Sequence, residues 1–502
     1  MSGLSQPTLE EFSSHFIQGK TQLLYRWAPA DMVTPVAAYL KLCGGRKNSF
    51  LLESVEGGSV LGRYSIIGLD PDIIWSCEGD QVKTWHNYGS WNLSNDDPLP
   101  ALREMIKACK IDIEPEGLPP MAVSGIFGYM GYDMIRMVED IPDDNPDTLN
   151  IPDSIFMRPT ALVIFDNVKN MICIVTPVYL HGHNTKKSAK KIYAEAEKTI
   201  SALAKNLLSS LKFKPQSSAV KLPLHIESNT TETEYHAMID RAIEYIRAGD
   251  IFQVVLSQRF WVDFDLPPFE LYRSLRRLNP SPFLFHFQFE GFALVGSSPE
   301  ILVRVRDKEL TIRPIAGTRI RGKNAAEDEA LAADLLGDPK ERAEHLMLLD
   351  LGRNDVGRVA EIGSVKVTDQ FVVEYYSHVM HIVSNVIGTV RNGLDILDAL
   401  FAGFPAGTVS GAPKIRAMQI IDELEKDRRS YYAGCVGYIS GNGNMDTCIA
   451  LRTALIKDGK LYIQSGAGIV ADSQKDSEYS ETVNKAKALV KAAEDALSQH
   501  RA

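Results

Sequence analysis

The 502-residue sequence predicts an α+β fold of large antiparallel β-sheets packed as a sandwich with helices outside. In the second half, strand-like segments follow one another through connections of hairpin length, at 251–262, 283–289, 293–296, 301–305 and 310–315. Helical segments lie before and after this run of strands, which is typical of antiparallel sheets rather than of βαβ units. The chain is too long for one ordinary core, so we expect two regions or one large layered body.

A polar, proline-containing segment at 212–229 separates the two regions predicted at 1–215 and 225–502. In the first region, Thr8 and Glu11 form a capping box that begins a helix. The pattern then predicts a helix at 34–44, strands at 50–53, 64–67, 72–77 and 82–85, a helix at 99–109, a hairpin at 161–180 and a helix at 186–211. The second region adds helices at 231–248, 338–355, 396–401, 414–424 and 477–498, a strand at 378–387 and a hairpin at 434–463.

Composition and charge exclude several classes of function. The formal net charge of −10 argues against a general surface for nucleic acid or for an anionic membrane. The most apolar run, 161–180, is interrupted by Asp166, Asn167 and two further polar residues, so we expect a hairpin and no membrane span. The six cysteines form no CxxC pair, and the first residues lack a signal-peptide pattern, so we expect a cytoplasmic protein with reduced thiols.

Two predicted helices place carboxylates on one face. Asp338 can cap the first of them, with Pro339 at its first position and Glu341 as the capping-box residue; Glu344 follows one turn later. In the last helix Glu478 and Glu481 share a face with Lys485. Each helix by itself reads as an ordinary solvated face, but four glutamates together would suit the inner and outer shells of a magnesium ion.

Other candidate residues are single or lie in loops. Segment 464–468, Gln-Ser-Gly-Ala-Gly, is predicted to form a glycine-rich bend after a strand. Gly466, Gly468 and Ala471 match a dinucleotide fingerprint, but a polar segment follows in place of the apolar helix that this fingerprint requires. His381 lies in a strand-like run and Arg452 in an apolar one; an unpaired buried Arg is costly, so Arg452 should face a carboxylate of the protein or of a ligand.

Read together, a series of segments resembles the chorismate-utilising enzymes, and most closely the large component of anthranilate synthase. The segments are GDIFQVVLSQR (249–259), SSPE (297–300), RPIAGTR (313–319), EHLMLLDLGRND (344–355), GTVSGAPK (407–414), YAGCVGY (432–438), ALRTA (450–454), GAGIVADS (466–473) and EYSETVNKA (478–486). The resemblance implies a magnesium-dependent conversion of chorismate and ammonia to anthranilate and pyruvate. It also implies that the N-terminal and chorismate-binding regions are interleaved.

The resemblance assigns roles to individual residues. Glu344 and Glu481 would bind magnesium directly, with Glu341 and Glu478 in the outer shell. The substrate carboxylates would be held by Tyr432, Arg452, Gly466, Ala467, Gly468 and Lys485. Glu300 would be the general acid, with a raised pKa; His381 would assist pyruvate elimination and Thr408 would position the substrate.

A regulatory site and a partner subunit are also implied. Residues similar to those of the family's tryptophan-inhibitor pocket are Glu53, Ser54, Pro282, Phe283, Leu284 and Cys448. Phe283 and Leu284 depart from the family's usual Tyr and Met. The sequence shows no Cys, His and Glu glutaminase arrangement, so ammonia is expected from a separate glutamine amidotransferase subunit.

Three alternatives remain open at this point. The first is aminodeoxychorismate synthase component I, although relatives with other products resemble PIKGT, with Lys where this chain has Ala316. The second is a non-catalytic amino-acid-binding regulator of the same fold. The third is a nicotinamide oxidoreductase, suggested by the glycine-rich segment.

Overall fold

The computed structural model describes residues 4–56, 60–86, 89–122, 125–180, 187–211, 216–376 and 379–500. Its helices are α1 (Leu9–Ile17), α2 (Pro35–Cys43), α3 (Pro98–Lys107), α4 (Ala189–Leu208), α5 (Glu232–Ala248), α6 (Pro268–Leu278), α7 (Ala325–Gly337), α8 (Pro339–Val359), α9 (Ile396–Gly403), α10 (Lys414–Leu424) and α11 (Lys475–Gln499). Most of them lie within a few residues of a predicted helix. None of the described helices is long and apolar enough to cross a membrane.

The strands form antiparallel ladders throughout the described residues. They are β1 (Gln22–Pro29), β2 (Ser49–Glu56), β3 (Val60–Glu78), β4 (Gln81–His86), β5 (Trp91–Ser94), β6 (Gly125–Met130), β7 (Ser154–Asp166), β8 (Met171–Val178), β9 (Glu227–Ser228), β10 (Gln253–Asp263), β11 (Phe283–Gln288), β12 (Ala293–Ser298), β13 (Ile301–Arg306), β14 (Glu309–Ile312), β15 (Ile315–Ile320), β16 (Lys366–Tyr375), β17 (Val379–Thr389), β18 (Gly411–Ala412), β19 (Cys435–Ser440), β20 (Met445–Ile449), β21 (Thr453–Lys457) and β22 (Lys460–Ile469). The predicted antiparallel α+β fold is confirmed.

Two halves of the sheet share the long strands β3 and β7 and pack face to face. One half continues from β3 through β2, β11, β12, β21 and β22 to β10. The other continues from β7 through β6, β19, β20, β13 and β14 to β17. The core between them brings Phe50 of the first half onto Phe127 of the second, with ring centroids 4.6 Å apart. This is the sandwich that the sequence predicts.

Helices cover the outside of the sandwich. α1, α2, α4, α6 and α11 bury apolar side chains against the outer face of the first half. α8 and α9 pack at the end of the second half, against β13, β14 and β17. Strands of the first predicted region pair with strands of the second, β2 with β11 and β6 with β19, so the two regions share their sheets. The boundary at 215–225 stays a prediction.

Several local expectations are wrong. Asp338 caps α8 by accepting from the amides of Lys340 and Glu341, but Glu341 does not close a capping box, because its carboxylate faces Arg319 instead. The single hairpin predicted at 434–463 is two hairpins, β19–β20 and β21–β22, and strands β1 and β16 were not predicted.

Candidate active site

Glu300 is a buried acid at the tip of the turn between β12 and β13. Its carboxyl group makes no ion pair with the described residues, and Thr408 donates a hydrogen bond from Oγ1 to its Oε1 at 3.1 Å. Burial raises the pKa of Glu300 to about 8, against the smaller lowering effect of that hydrogen bond. Glu300 is therefore mostly protonated at neutral pH and can donate a proton. Thr408 reaches it from a short 3-10 helix, Gly407–Val409, which follows α9.

His381 lies on β17, as predicted, and is held in one tautomer. Its Nδ1 lies 2.8 Å from the carbonyl oxygen of Gly317 and 3.2 Å from Oγ1 of Thr318. A carbonyl only accepts, so Nδ1 carries the proton and Nε2 keeps its lone pair when the ring is neutral. Burial lowers the pKa of His381, with the nearby charge of Arg452 acting in the same direction. The ring is thus poised as a base through Nε2.

Arg452 is a partly buried cation that lacks an anionic partner among the described residues. Its guanidinium takes part in no hydrogen bond or ion pair there, and burial lowers its pKa. Contrary to the expectation of a strand position, it lies in the connection between β20 and β21 with φ of 47°, an uncommon conformation for a residue with a side chain. Since leaving such a charge unpaired is costly, its position points to an anion supplied from outside the protein.

Segment 464–468 was predicted to be a bend, but in the structure it is part of β22. Gly466 pairs with Ser257 and Gly468 with Val255 of β10. A Cβ at Gly466 would lie 3.1 Å from the hydroxyl oxygen of Tyr432, and one at Gly468 would lie 2.5 Å from Nε2 of Gln253. The glycines thus let two buried polar side chains approach the strand, on either side of Ala467.

Tyr432 and Lys485 reach this strand from different elements. Burial raises the pKa of Tyr432 to about 12, so its hydroxyl stays a donor. Lys485 of α11 donates to the carbonyl oxygen of Gly466 at 2.9 Å and pairs with Glu481 at 2.7 Å. The structure therefore brings together Tyr432, Lys485 and the glycine-rich strand.

The glutamates of α8 and α11 face one another. Burial raises the pKa of Glu344, and the charges of Glu341 and Glu481 raise it further. Burial also raises the pKa of Glu478, with a contribution from Glu481. Their cationic neighbours include Arg319, 3.3 Å from Glu341, Lys485, and Lys340, which lowers the pKa of both Glu344 and Glu478. An oxygen-only set with mutually repelling carboxylates fits a hard divalent cation. No three of these carboxylates bring oxygens within 4.8 Å of one another, so the set is open.

Two neighbours of the site were missed from the sequence. Gln253 lies beside Glu344 and lowers the pKa of its carboxyl group, and its own Oε1 is buried without a hydrogen-bond partner among the described residues. Tyr376 packs its ring edge-on against His381 at 5.4 Å and donates to Glu374 at 3.1 Å. Gln253 belongs to a quoted motif, but nothing in its spacing singles it out, because its role depends on contact with a residue about ninety positions away.

The six residues of the predicted inhibitor pocket line one cavity of about 900 Å³ between the two halves of the sheet. Its walls come from β2, β11, β19 and β20, and it extends to Tyr376 beside His381. Glu53 is engaged within the protein, accepting hydrogen bonds from Tyr272 at 2.6 Å and from Arg276 at 2.7 Å. The role of this cavity stays a prediction.

Comparison with known proteins places the chain in a family. Residues 50–491 match the family described as chorismate binding enzyme. Anthranilate synthase component 1 of Cereibacter sphaeroides is 52% identical over 493 residues, which are 97% of this chain and 98% of that protein. The protein of the same name from Pseudomonas aeruginosa is 47% identical over 466 residues, 92% of this chain and 93% of its own. The crystal structure of anthranilate synthase component I from Streptococcus pneumoniae is 38% identical, with a TM-score of 0.76 over 92% of this chain and 99% of that one.

The chain therefore belongs to the family of chorismate binding enzymes. Both relatives and the solved structure named above are the first component of anthranilate synthase, so the resemblance derived from the motifs is confirmed.

Proposed function

We propose that this chain is the chorismate-converting component of an anthranilate synthase, a lyase of tryptophan biosynthesis that forms anthranilate and pyruvate from chorismate and ammonia. The relatives named above support this activity. One observation carries it at the level of chemistry. A buried acid, Glu300, and a base of fixed tautomer, His381, lie in one site with Arg452, a cation whose partner must come from a ligand.

Substrate binding relies on charge complementarity. Chorismate is a dianion, and Arg452, Lys485 and the hydroxyl of Tyr432 are the donors that meet its carboxylates, with amides of β22 near Gly468. Hydrogen bonds to charged groups contribute roughly 1.5–3 kcal/mol each. Such contacts suffice to hold a small dianion in one orientation, which removes part of the entropic barrier to reaction.

Glu300 acts first. Its neutral carboxyl group donates a proton to the departing ring hydroxyl while ammonia bonds to ring carbon C2, so the hydroxyl leaves as water. Thr408 holds Oε1 of Glu300 by its hydrogen bond and so orients the carboxyl proton. The raised pKa of Glu300 is the property that this step requires, because an ionised carboxylate has no proton to give.

His381 acts on the aminated intermediate. Its Nε2 takes the proton from C2, the enolpyruvyl C–O bond breaks, and the ring becomes aromatic as pyruvate departs. The hydrogen bond from Nδ1 to Gly317 stabilises the protonated ring that results. Ala316, which precedes Gly317, offers no amine, which favours ammonia over a lysine nucleophile and disfavours the aminodeoxychorismate alternative.

Magnesium fits the glutamates of α8 and α11. Glu344 and Glu481 are proposed as direct ligands, with Glu341 and Glu478 in the outer shell. A bound magnesium ion would supply positive charge for a substrate carboxylate. Gln253 lies beside Glu344 and Ser473 beside Glu478, and each lowers the pKa of its neighbouring carboxyl group.

Ammonia supply and regulation belong to the same proposal. All six cysteines are buried, and burial raises the pKa of five of them to about 12 and that of Cys448 further, so none is suited to be a glutaminase nucleophile. This supports delivery of ammonia by a separate glutamine amidotransferase subunit.

The cavity that contains Glu53, Ser54, Pro282, Phe283, Leu284 and Cys448 is proposed to bind tryptophan as inhibitor. A cytoplasmic location goes with this metabolism.

The test is an assay of the purified chain with chorismate, magnesium chloride and ammonium sulfate, followed by anthranilate fluorescence and product mass. We expect anthranilate and pyruvate in equal amounts, and none with EDTA. Absence of turnover would favour the regulator alternative. Aminodeoxychorismate as the product would show that Ala316 does not exclude the aminodeoxychorismate synthase activity.

A further inference from the structure

A second group of metal-ligating side chains lies on the surface between α5 and α11. Glu232 and His236 are one turn apart on α5, and Asp476 is in the first turn of α11. One ligand atom from each lies within 4.8 Å of the other two. No glutamate of the proposed magnesium site belongs to it.

The separation of His236 and Asp476 is that of co-ligands. Nε2 of His236 is buried and has no hydrogen-bond partner among the described residues, and Oδ1 of Asp476 lies 3.5 Å from it. A good N–H···O bond is about 2.7–3.2 Å long. Two atoms bound to one tetrahedral zinc ion, with bonds of about 2.0–2.2 Å, lie about 3.3–3.5 Å apart.

The surroundings keep these groups in place. The ring of Tyr479 meets that of His236 edge-on at 6.1 Å, one turn beyond Asp476 on α11. Lys475, the neighbour of Asp476, is engaged by Asp240 at 2.6 Å and does not neutralise the group. Gln474, the N-cap of α11, makes no side-chain capping bond, so this helix lacks that means of fixing its first turn.

We propose that Glu232, His236 and Asp476 bind a zinc-like transition-metal ion that fastens α5 to the first turn of α11. Imidazole nitrogen with two carboxylates is a ligand set that zinc and its neighbours accept, whereas magnesium prefers oxygen ligands in a near-octahedral arrangement. Three protein ligands leave one position for water. The ligand set of this site therefore favours a different metal ion from the one proposed for the glutamates further along α11.

Zinc binding to the full chain tests this proposal, measured by competition with a chromogenic chelator in the presence of excess Mg²⁺. We expect one Zn²⁺ per chain, with affinity reduced at least about 10-fold in His236→Ala and in the near-isosteric Glu232→Gln. The matched control His225→Ala removes an exposed histidine outside the group and should bind as the wild type does. Glu344→Gln should also bind zinc normally, so failure of the magnesium proposal would not affect the result.

Location of the ion completes the test. Crystals soaked in zinc chloride should give an anomalous peak at the zinc edge between α5 and α11. The proposal is overturned if the wild type binds Zn²⁺ no more tightly than His236→Ala, or if the peak lies only elsewhere. A melting temperature for each variant close to that of the wild type without metal excludes misfolding as the cause of weaker binding.

Discussion

At the scale of single residues, the site contains polar groups that lack a charge partner or a hydrogen-bond partner among the described residues. Glu300 is buried without a cation, Arg452 without an anion, and Gln253 with a carbonyl oxygen unsatisfied among the described residues. Elsewhere in the same structure, buried charges are paired, as Arg429 is with Glu425 at 2.6 Å. Because unmet polar groups cost stability, their concentration here indicates a place reserved for a charged ligand.

Glu300 should give the reaction an upper pH limit. The acid must be protonated, so activity is expected to be highest below pH 8 and to fall as pH rises through about 8, the raised pKa of this carboxyl. Glu300→Gln should lower kcat by about 10²–10⁴-fold at pH 7. Measurement of kcat/KM from pH 6 to 9.5 tests the pH limit, since this ratio reports groups of the free enzyme, and kcat at pH 7 tests the variant. A wild-type kcat/KM profile that stays flat to pH 9.5 would rule out Glu300 as the acid.

The same group links stability to pH. Its pKa rises from 4.5 to about 8 on folding, so the folded state favours the protonated form. That contribution is fully present below pH 4.5 and is lost as pH rises toward 8. Thr408→Ala removes the hydrogen bond to Oε1 but keeps the acid itself. This variant therefore separates the orientation of the Glu300 carboxyl group from its protonation.

Arg452 should behave as a binding residue and not as a structural one. Arg452→Gln is expected to lower kcat/KM by roughly 10- to 100-fold, the effect of losing one charge-assisted hydrogen bond to the substrate. The free energy of unfolding should stay the same or rise, because the substitution removes a buried charge that has no partner among the described residues. Urea unfolding beside steady-state kinetics checks this pair of outcomes. A large loss of stability would indicate a structural role instead.

At the scale of elements, α8 and α11 each bring a pair of acids to the site, and sequence periodicity is sufficient to place them. Spacing along one helix fixes which side chains share a face, so it pairs Glu341 with Glu344 and Glu478 with Glu481. In the structure the charge of Glu481 reaches Glu344 and raises its pKa. Periodicity does not show which side chain of another element contacts these acids. The predicted capping box on Glu341 failed because Arg319 of β15, twenty-two residues earlier, takes that carboxylate.

Neutralising one acid at this contact should have opposite effects with and without metal. Glu344→Gln is expected to raise the melting temperature of the metal-free protein, because it relieves repulsion from Glu341 and Glu481 and removes a buried charge. It should also abolish the stabilisation that we expect Mg²⁺ to give the wild type under the proposed function. Differential scanning fluorimetry in EDTA and in magnesium chloride measures both. Glu478→Gln, an outer-shell variant, should weaken the magnesium effect without abolishing it.

Strands were harder to predict than helices, and the reason is visible in β16 and β22. The register of β16 against β17 shifts twice, which breaks the alternation of polar and apolar residues that identifies a strand. In β22, glycines at 466 and 468 suggest a turn, yet they are required by side chains that approach the sheet from Tyr432 and Gln253. Both features depend on neighbours that are distant in sequence.

At the scale of the whole molecule, the chain is one layered body whose predicted regions share sheets. β2 lies between β3 and β11, and β6 lies between β7 and β19, so strands of the first region pair directly with strands of the second. Composition and length alone left open two domains or one body. The pairing of strands from the two regions explains why the linker at 212–229 does not mark a simple division.

Residues 225–502 should therefore not fold as an independent unit. Without β2 and β6, the strands β11 and β19 would expose unpaired backbone edges, and the core around Phe127 and Phe287 would lose one side. We expect the fragment to be insoluble or to lack a cooperative unfolding transition. A soluble fragment with a sharp transition by circular dichroism would show that the catalytic region is autonomous.

The proposed inhibition by tryptophan should respond to the volume of the cavity. Cys448→Phe adds a ring to a buried position in the cavity wall and should raise the tryptophan concentration for half inhibition at least about 10-fold, in line with an overpacking cost of about 1–3 kcal/mol. Cys448→Ala keeps the space open and should stay inhibited. Equal sensitivity of the Phe variant and the wild type would place the inhibitor elsewhere.

The position of β11 between β2 and β12 limits how inhibition can be lost in evolution. Leu284 pairs with Glu53 on one side, and Phe283 pairs on the other with Ser298, two residues before Glu300. A substitution that reshapes β11 also disturbs the strand that ends at the acid. Lineages that escape inhibition yet keep full turnover should therefore carry their changes on β19, where Val436 and Tyr438 line the cavity. Changes on β20 are expected less often, because the amide of Ile449 donates to the carbonyl oxygen of Glu300.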